Sequence, residues 1–439
     1  MFRLLTYQDG NLSFSLPDEP TDKTTSKHRF TVIIGANGTG KSQILRSIVS
    51  HYQKQIANKY FKDSNEKFFI DGTTVIGAPS TVLALSNMAI DVFPYSLKRD
   101  QTYRYLGLKQ NNNSMSTGSL RDSTVASIIL CMSDPERTAM LAPTLETLGF
   151  NNCQAAFSRP LPASVRNRKF DRASIVRTFL GNLPHLRKDE NLSRTAGELT
   201  ARLDEFGAAL PENAATGGPQ RNYIQELSEI STSFGIDLTD LSRLLKRARI
   251  ADVDVHLSRG DSYFGLDDLS AGQLLLLSTF SRLAANIGPD TLILIDEPET
   301  GLHPNWQSAY IPLLEDTVPA AWSCHFFLGT HSPHIVSDGS DVLVPGAQWG
   351  EFVEFMDPFN GRAVENILYR VFGAKVSGNS LVDDDLTTLI EYLASPDSEG
   401  LDSEEVQRAV SRLRKISGPD TEVLNSVLND LPQVMGGQL

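Results

Sequence analysis

Cysteine is scarce in this chain, with three in 439 residues, at positions 131, 153 and 324. They share no spacing and form no CxxC, which excludes a disulfide frame and a zinc knuckle and leaves reduced, buried thiols. Long apolar runs are missing as well. The longest, such as Ala126 to Met132 and Leu274 to Leu277, fall far below the roughly 18 residues that cross a bilayer, so no membrane segment is expected. The opening MFRLLTYQDGNLSFSL has neither an apolar h-region nor a small-residue cleavage site, so a cytoplasmic rather than secreted address is expected. An excess of positive charge is also lacking. The balance of 40 Lys and Arg against 53 Asp and Glu gives −13, which argues against a chain coated in nucleic acid but allows local basic patches.

What is present is ordinary globular usage, 40% hydrophobic and 21% charged. At this length two or three packed units around a large core are expected. Charge is spread unevenly. Arg159 to Lys188 holds eight basic residues and one acid, whereas Val376 to Leu439 holds twelve acids and four bases, so the two regions suit different partners.

The opening segment alternates apolar and polar residues (Phe2, Leu4, then Leu12, Phe14, Leu16), which predicts short antiparallel strands. Phe30 to Ile34, Thr81 to Leu85, Thr291 to Ile295 and His325 to Leu328 are continuous apolar runs, each ending in a polar or glycine-containing turn. Runs of this kind predict strands buried on both faces of a parallel α/β sheet. From about Thr117 to Ile250 the period changes to that of helices (Val176-Phe179-Leu180, Leu199-Leu203-Phe206, Leu238-Leu241-Leu244-Leu245), with a turn at Pro211 to Gln220. No heptad or fixed repeat is sustained, which disfavours a coiled-coil arm. After Gly350 the tail reads as mostly helical, clearest at Leu386 to Leu393 and Ser403 to Ile416.

Three segments carry chemistry. GANGTGKS, Gly35 to Ser42, fits GxxxxGK[ST] between a buried strand and a helix. Gly35, Gly38 and Gly40 let the backbone of Ala36, Asn37 and Thr39 curl so that successive N–H groups, and those of the helix beginning at Lys41, Ser42 and Gln43, face a phosphate chain. Lys41 would bridge the β- and γ-phosphates of ATP, and Ser42 would hold Mg²⁺. LILIDEPE, Leu292 to Glu299, places two carboxylates at a strand's exposed end. Asp296 suits Mg²⁺ and Glu297 suits the attacking water, although adjacent acids there are often only a solvated turn. The third segment, DDLSAGQLLLLSTF, sets Ser270 before a strongly apolar helix, where an ordinary N-cap is the simpler alternative.

With these residues in this order, LSAGQ resembles the LSGGQ signature of ABC-type ATPases. Leu302-His303-Pro304 occupies the D-loop place, and GTHSPHIVS supplies His331 where that family keeps its switch histidine. The resemblance implies two nucleotide sites formed between head domains. Ser270, Ala271, Gly272 and Gln273 would meet the γ-phosphate held by a partner's P-loop, and His331 would act beside Glu297 as a catalytic residue. DEPETGLHP followed by THSPHI, and the separation of 254 positions between Ser42 and Asp296, are similar to the SMC-like, RecF-like and OLD-like AAA ATPases. Among these are subunits of bacterial anti-phage defence systems of the Septu-like kind. The transporter cassettes are less similar. No glutamine ends the Thr81 to Leu85 strand, so Ser86 or Asn87 would stand in for the Q-loop residue. OLD-like proteins often add a TOPRIM nuclease, but Pro345 stands where its glutamate would be, and Asp383, Asp384 and Asp385 read as a cap on the helix at Leu386. No intrinsic nuclease is expected.

The expected fold is therefore α/β, an ABC-type ATPase head with a mixed sheet, a helical insertion between Walker A and the signature, and a helical C-terminal segment. The expected divisions are 1–115 and 255–348 for the two halves of the head, 116–254 for the insertion and 349–439 for the acidic tail. The expected activity is ATP hydrolysis with Mg²⁺ by heads paired as a homodimer or higher even-numbered oligomer, controlling a nuclease-like effector protein. A DNA-repair ATPase acting directly on DNA is the alternative, with a transporter cassette behind it. Arg159, Arg166, Arg168, Lys169 and Arg172 form a basic stretch that is either a solvated helix face or a surface tracking nucleic-acid phosphates.

Overall fold

The computed structural model describes residues 2–19, 28–57, 67–70, 72–88, 90–95, 102–108, 117–159, 171–183, 191–211, 220–336, 338–355, 380–394, 403–416, 424–425 and 427–428. The strands are β1 (Arg3–Asp9), β2 (Leu12–Ser15), β3 (Arg29–Ile34), β4 (Lys67–Ile70), β5 (Thr73–Ile76), β6 (Thr81–Ser86), β7 (Tyr103–Tyr105), β8 (Asn152–Ser158), β9 (Asp252–Arg259), β10 (Ser262–Gly265), β11 (Thr291–Asp296), β12 (His325–Thr330), β13 (Asp341–Pro345) and β14 (Glu351–Glu354). The helices are α1 (Lys41–Ala57), α2 (Thr117–Met132), α3 (Pro135–Ala139), α4 (Ala142–Thr147), α5 (Arg172–Asn182), α6 (Leu192–Ala209), α7 (Gln220–Phe234), α8 (Leu238–Arg247), α9 (Ala271–Asn286), α10 (Pro304–Ser308), α11 (Tyr310–Thr317), α12 (Pro333–Val336), α13 (Ser380–Ala394) and α14 (Ser403–Ile416). Among the described residues no helix is long and apolar enough to cross a membrane.

Eleven strands form one mixed sheet in the order β4-β5-β1-β2-β14-β13-β3-β12-β11-β6-β7. From β13 to β7 the neighbours run parallel, and the pairs from β4 to β2, together with β13–β14, are antiparallel. The parallel strands are the continuous apolar runs, and their side chains divide by the strand period of two. Ile33, Leu294 and Phe327 face α1 through Ile44, Leu45 and Ile48. Val32, Ile293 and Phe326 face the opposite layer, where α2 and α9 join one core that continues into the helices of the middle segment. β3 is fastened to β13 by a buried ion pair, with Arg29 Nε 2.7 Å and Nη2 2.9 Å from the two Asp341 carboxylate oxygens. A planar guanidinium suits this two-point contact.

The expected mixed sheet and parallel core are present. Two strands lie where sequence period predicted helix. β8 crosses the middle segment and pairs antiparallel along its length with β9, which with β10 makes a separate three-stranded sheet. β14, just past the expected boundary at 348, is a strand of the main sheet beside β13 and β2. The turn at Pro211 to Gln220 lies largely outside the described residues, between α6 and α7. In the tail, α13 begins at Ser380, so the three aspartates sit in its first turns rather than before it. Asp385 is 7% exposed and holds Arg412 of α14 at 2.7 Å, which ties the two tail helices together.

Candidate nucleotide site

The P-loop leaves β3 and enters α1. Gly38 and Gly40 have φ of +85° and +102°, values that a side chain strongly disfavours, and this left-handed backbone produces the curl. Ala36, Asn37 and Gly38 are exposed and Lys41 is buried. The Lys41 ammonium donates to the carbonyls of Gly35 at 2.8 Å and Ala36 at 3.2 Å, which holds the charge under the loop it is expected to serve. Gln43 is exposed on the first turn of α1.

Two strands away, β11 ends at Asp296. Its carboxylate accepts a hydrogen bond from the Ser42 hydroxyl at 3.0 Å, so residues 254 positions apart meet. Asp296 is 2% exposed. Burial pushes its carboxyl up to about 7, against the Ser42 hydrogen bond and with help from the charge of Glu297. A desolvated carboxylate beside a hydroxyl is a hard oxygen pair short of positive charge, and it fits Mg²⁺, which binds through one or two such ligands and keeps several waters. A side chain at Gly329 of β12 would come within 3.2 Å of the Asp296 carboxylate, so glycine is what allows the close approach.

The chain turns sharply after Asp296. Glu297 has φ of +53° and donates its N–H to the Gly329 carbonyl at 2.8 Å, and a conformation this uncommon for a side-chain residue marks a functional candidate. His331 follows β12, the next strand. Its Nδ1 lies 2.8 Å from a Glu297 carboxylate oxygen and 3.0 Å from one of Glu299. Flanked by two acceptors, that nitrogen is the donor. The His331 N–H donates to the same Glu299 oxygen at 2.7 Å. Glu297, Glu299 and His331 offer ligand atoms within 4.8 Å of one another, a spacing that these hydrogen bonds already explain. Burial raises the Glu299 carboxyl, opposed chiefly by the His331 N–H.

Glu299 is the site residue that the sequence reading passed over. No role was assigned to this third acid of the segment, yet it is 6% exposed. The available signal was proline between acids directly before Thr300 and Gly301, a turn tight enough to fold the third carboxylate inward. Gln307 of α10 then links the D-loop to the histidine loop. It donates to the Leu302 carbonyl at 2.9 Å and accepts from the Ser332 hydroxyl at 2.7 Å.

Ser270 caps α9 in a reciprocal capping box with Gln273. The serine N–H donates to Gln273 Oε1 at 2.9 Å, and the Gln273 N–H donates to Ser270 Oγ at 3.3 Å. Both readings of Ser270 are therefore compatible with its place. It is an N-cap, and Ser270 and Ala271 are exposed at a helix N-terminus with spare donors. Gly272 lies against the D-loop, where an added Cβ would be 2.9 Å from the Gly301 carbonyl.

Ser86 pairs in register with Asp296 across β6 and β11 and is 1% exposed. Asn87 instead turns to α9, where its Oδ1 accepts from Thr279 at 3.0 Å and from Arg282 at 3.2 Å. Of the basic stretch, Arg166, Arg168 and Lys169 lie outside the described residues. Arg159 donates to the Gly207 carbonyl at 3.0 Å and also to that of Ala208, at the end of α6. Arg172 donates to the Ala248 and Arg249 carbonyls after α8 and pairs with Asp204 at 2.9 Å. Both guanidiniums thus serve helix C-termini.

A glycine loop on a buried parallel strand, a hydroxyl–carboxylate pair, a glutamate–histidine pair and a separate serine-capped helix together define an ATPase head of the ABC type. Residues 148–337 match the AAA_21 family, described as an AAA domain of the AbiEii-toxin, Type IV TA kind. That stretch takes in the signature, Asp296 and His331 and leaves out the P-loop. The chain is similar to Protein ea59 of Escherichia phage lambda, 23% identical over 337 residues, 75% of this chain and 50% of that one. It is also similar to the Retron Vc95 probable ATPase of Vibrio cholerae, 23% identical over 354 residues, 72% of this chain and 68% of that one. The Retron Ec83 probable ATPase of Escherichia coli is 27% identical over 190 residues, 40% of this chain and 33% of that one. The match thus spans half of the phage protein. Among solved structures, an SMC head bound to the C-winged helix domain of ScpA and the recombination mediator RecF are each 12% identical. They align over 81% of this chain and 95% and 98% of theirs, at TM-scores of 0.29 and 0.28. The chain is thus similar to the AAA_21 family over residues 148–337 and to two proteins named as retron probable ATPases.

Proposed function

We propose that two copies pair head to head, each P-loop meeting the Ser270 turn of the other across ATP, and that hydrolysis releases the pair. The observation that carries this reading is the exposure of the Ser270–Ala271 helix start on a chain whose own P-loop lip is exposed too. Each surface offers backbone donors suited to one side of a triphosphate. Ser42 and Asp296 would hold Mg²⁺, which when bound neutralises charge developing on the phosphates. Glu297 orients the attacking water and takes its proton, and His331, hydrogen-bonded to Glu297, keeps that carboxylate in place and faces the γ-phosphate.

The likeness to retron ATPases supports a defence setting in which the paired state is read by an effector protein. The chemistry beyond ATP hydrolysis belongs to that partner. In support, Pro345 ends β13 against the P-loop, with its ring 2.9 Å from where a Gly35 Cβ would be, and Asp385 is spent on Arg412.

Light scattering on the Glu297→Gln variant tests the pairing. The expected result is a doubling of mass with ATP and Mg²⁺ that a further Ser270→Arg change abolishes without loss of bound ATP. A variant that holds ATP and stays monomeric at every concentration rejects it. ATP turnover measured with and without DNA separates this reading from that of a repair ATPase, for which DNA itself is the stimulus.

A further inference from the structure

We propose that Trp349 is the platform on which the base of the bound nucleotide stacks. This rests on the reading of the P-loop as a triphosphate site and extends it to the other end of the ligand. The turn between β13 and β14 runs from Pro345 to Gly350 and lies against the P-loop. Trp349 donates its indole N–H to the Gly38 carbonyl at 2.8 Å. Its ring comes within 3.8 Å of the place a Cβ on Gly40 would take, and the Gly350 Cα within 3.4 Å. The Pro345 ring lies 2.9 Å from where a Gly35 Cβ would be, so that glycine makes room for this turn, and the Gly38 carbonyl is held by it.

The turn is rigid. Gly346 donates to the Glu351 carbonyl at 2.8 Å, Glu351 to the Gln348 carbonyl at 3.1 Å, and Gln348 to the Glu351 carboxylate at 3.1 Å. On its far side the Gly350 carbonyl accepts from Ser13 of β2 at 3.0 Å. Yet the indole that this framework holds is 56% exposed. A large aromatic fixed in place by its polar edge, with its apolar body left wet, is built to receive a flat apolar partner.

Sheet order gives the direction. β3, which carries the P-loop, has β12 and β11 on one side and β13 and β14 on the other. Asp296, Glu297 and His331 all stand at the ends of β11 and β12. A triphosphate lying along the loop with its γ end among those groups must send its nucleoside the opposite way, toward the β13–β14 turn, where Trp349 waits. Stacking accepts any base face, with purines favoured for their larger ring.

Titration calorimetry on the full chain with ATP and with inorganic tripolyphosphate tests this. Trp349→Ala is expected to weaken ATP by roughly 5- to 150-fold, the usual cost of losing a base–aromatic stack, and to leave tripolyphosphate unchanged. Trp349→Phe, which keeps a ring and loses the N–H, is expected to restore most of the ATP affinity and shows that the fold tolerates change here. Equal weakening of both ligands by Trp349→Ala would mean that the indole only shapes the loop, and overturns the proposal, as does an unchanged affinity for ATP. A wild-type chain that binds neither ligand overturns the triphosphate reading and this one with it, which is distinct from a chain that binds both and ignores Trp349.

Discussion

Replacing Glu299 by Gln tests whether the buried acid organises the catalytic end of the site. The change keeps the volume and leaves one oxygen for the His331 N–H, now 2.7 Å away. It removes the charge that draws the imidazole, whose Nδ1 is 3.0 Å from Glu299 and 2.8 Å from Glu297. A hydrogen bond to a charged group contributes about 1.5–3 kcal/mol. If that interaction sets the histidine for the transition state, kcat falls about 10- to 150-fold. KM for ATP should hold within about three-fold, since Glu299 does not touch the P-loop, and a loss confined to kcat is the mark of an interaction that acts after binding. Steady-state ATPase assays with a thermal melt alongside make the measurement. An unchanged kcat in a folded variant, or a loss carried by KM alone, refutes the reasoning.

Three further outcomes follow from the geometry. Asp341→Asn breaks the buried pair with Arg29 and should lower stability by about 3–5 kcal/mol in denaturant titration, because it strands an ion in the core; a loss below about 1 kcal/mol would contradict this. Burial lowers the titration of His325, and to a lesser degree that of His28, below the ordinary 6.5. The unfolded chain therefore binds the extra protons, and stability should be fully present above about 6.5 and fall by about 1.4 kcal/mol per pH unit per histidine below it. His325→Gln should flatten that slope in melts run from pH 7 to 5. Gly329→Ala places a methyl 3.2 Å from the Asp296 carboxylate and 2.9 Å from Leu45. Turnover should fall more than ATP binding does, and an alanine variant with wild-type kcat would show that the approach is not needed.

The parts of the fold that could be read from sequence are those set by local rules. The P-loop announces itself through glycines whose conformations other residues resist, and the parallel strands through apolar runs that only a doubly covered sheet can bury. β8 escaped because NCQAAFS lies within a long stretch of helical period, and its partner β9 is about a hundred residues away. Glu299 escaped because its burial depends on the fold of the D-loop, not on its neighbours in the chain. Trp349 touches a carbonyl 311 positions earlier, a distance over which residue spacing carries no information. The Ser270 turn was legible as a motif, but its capping box serves the helix whatever else it meets.

The reversed backbone twist at Glu297 also bears on how this lineage could change. Asparagine and glycine sit more easily at φ near +53° than glutamate does. If Glu297 activates the attacking water as proposed, replacing it by either would disarm hydrolysis while relaxing the main chain, leaving a nucleotide-binding relative that folds at least as well. Silent descendants of the enzyme should accordingly carry those two residues here more often than valine or isoleucine, which the same twist penalises.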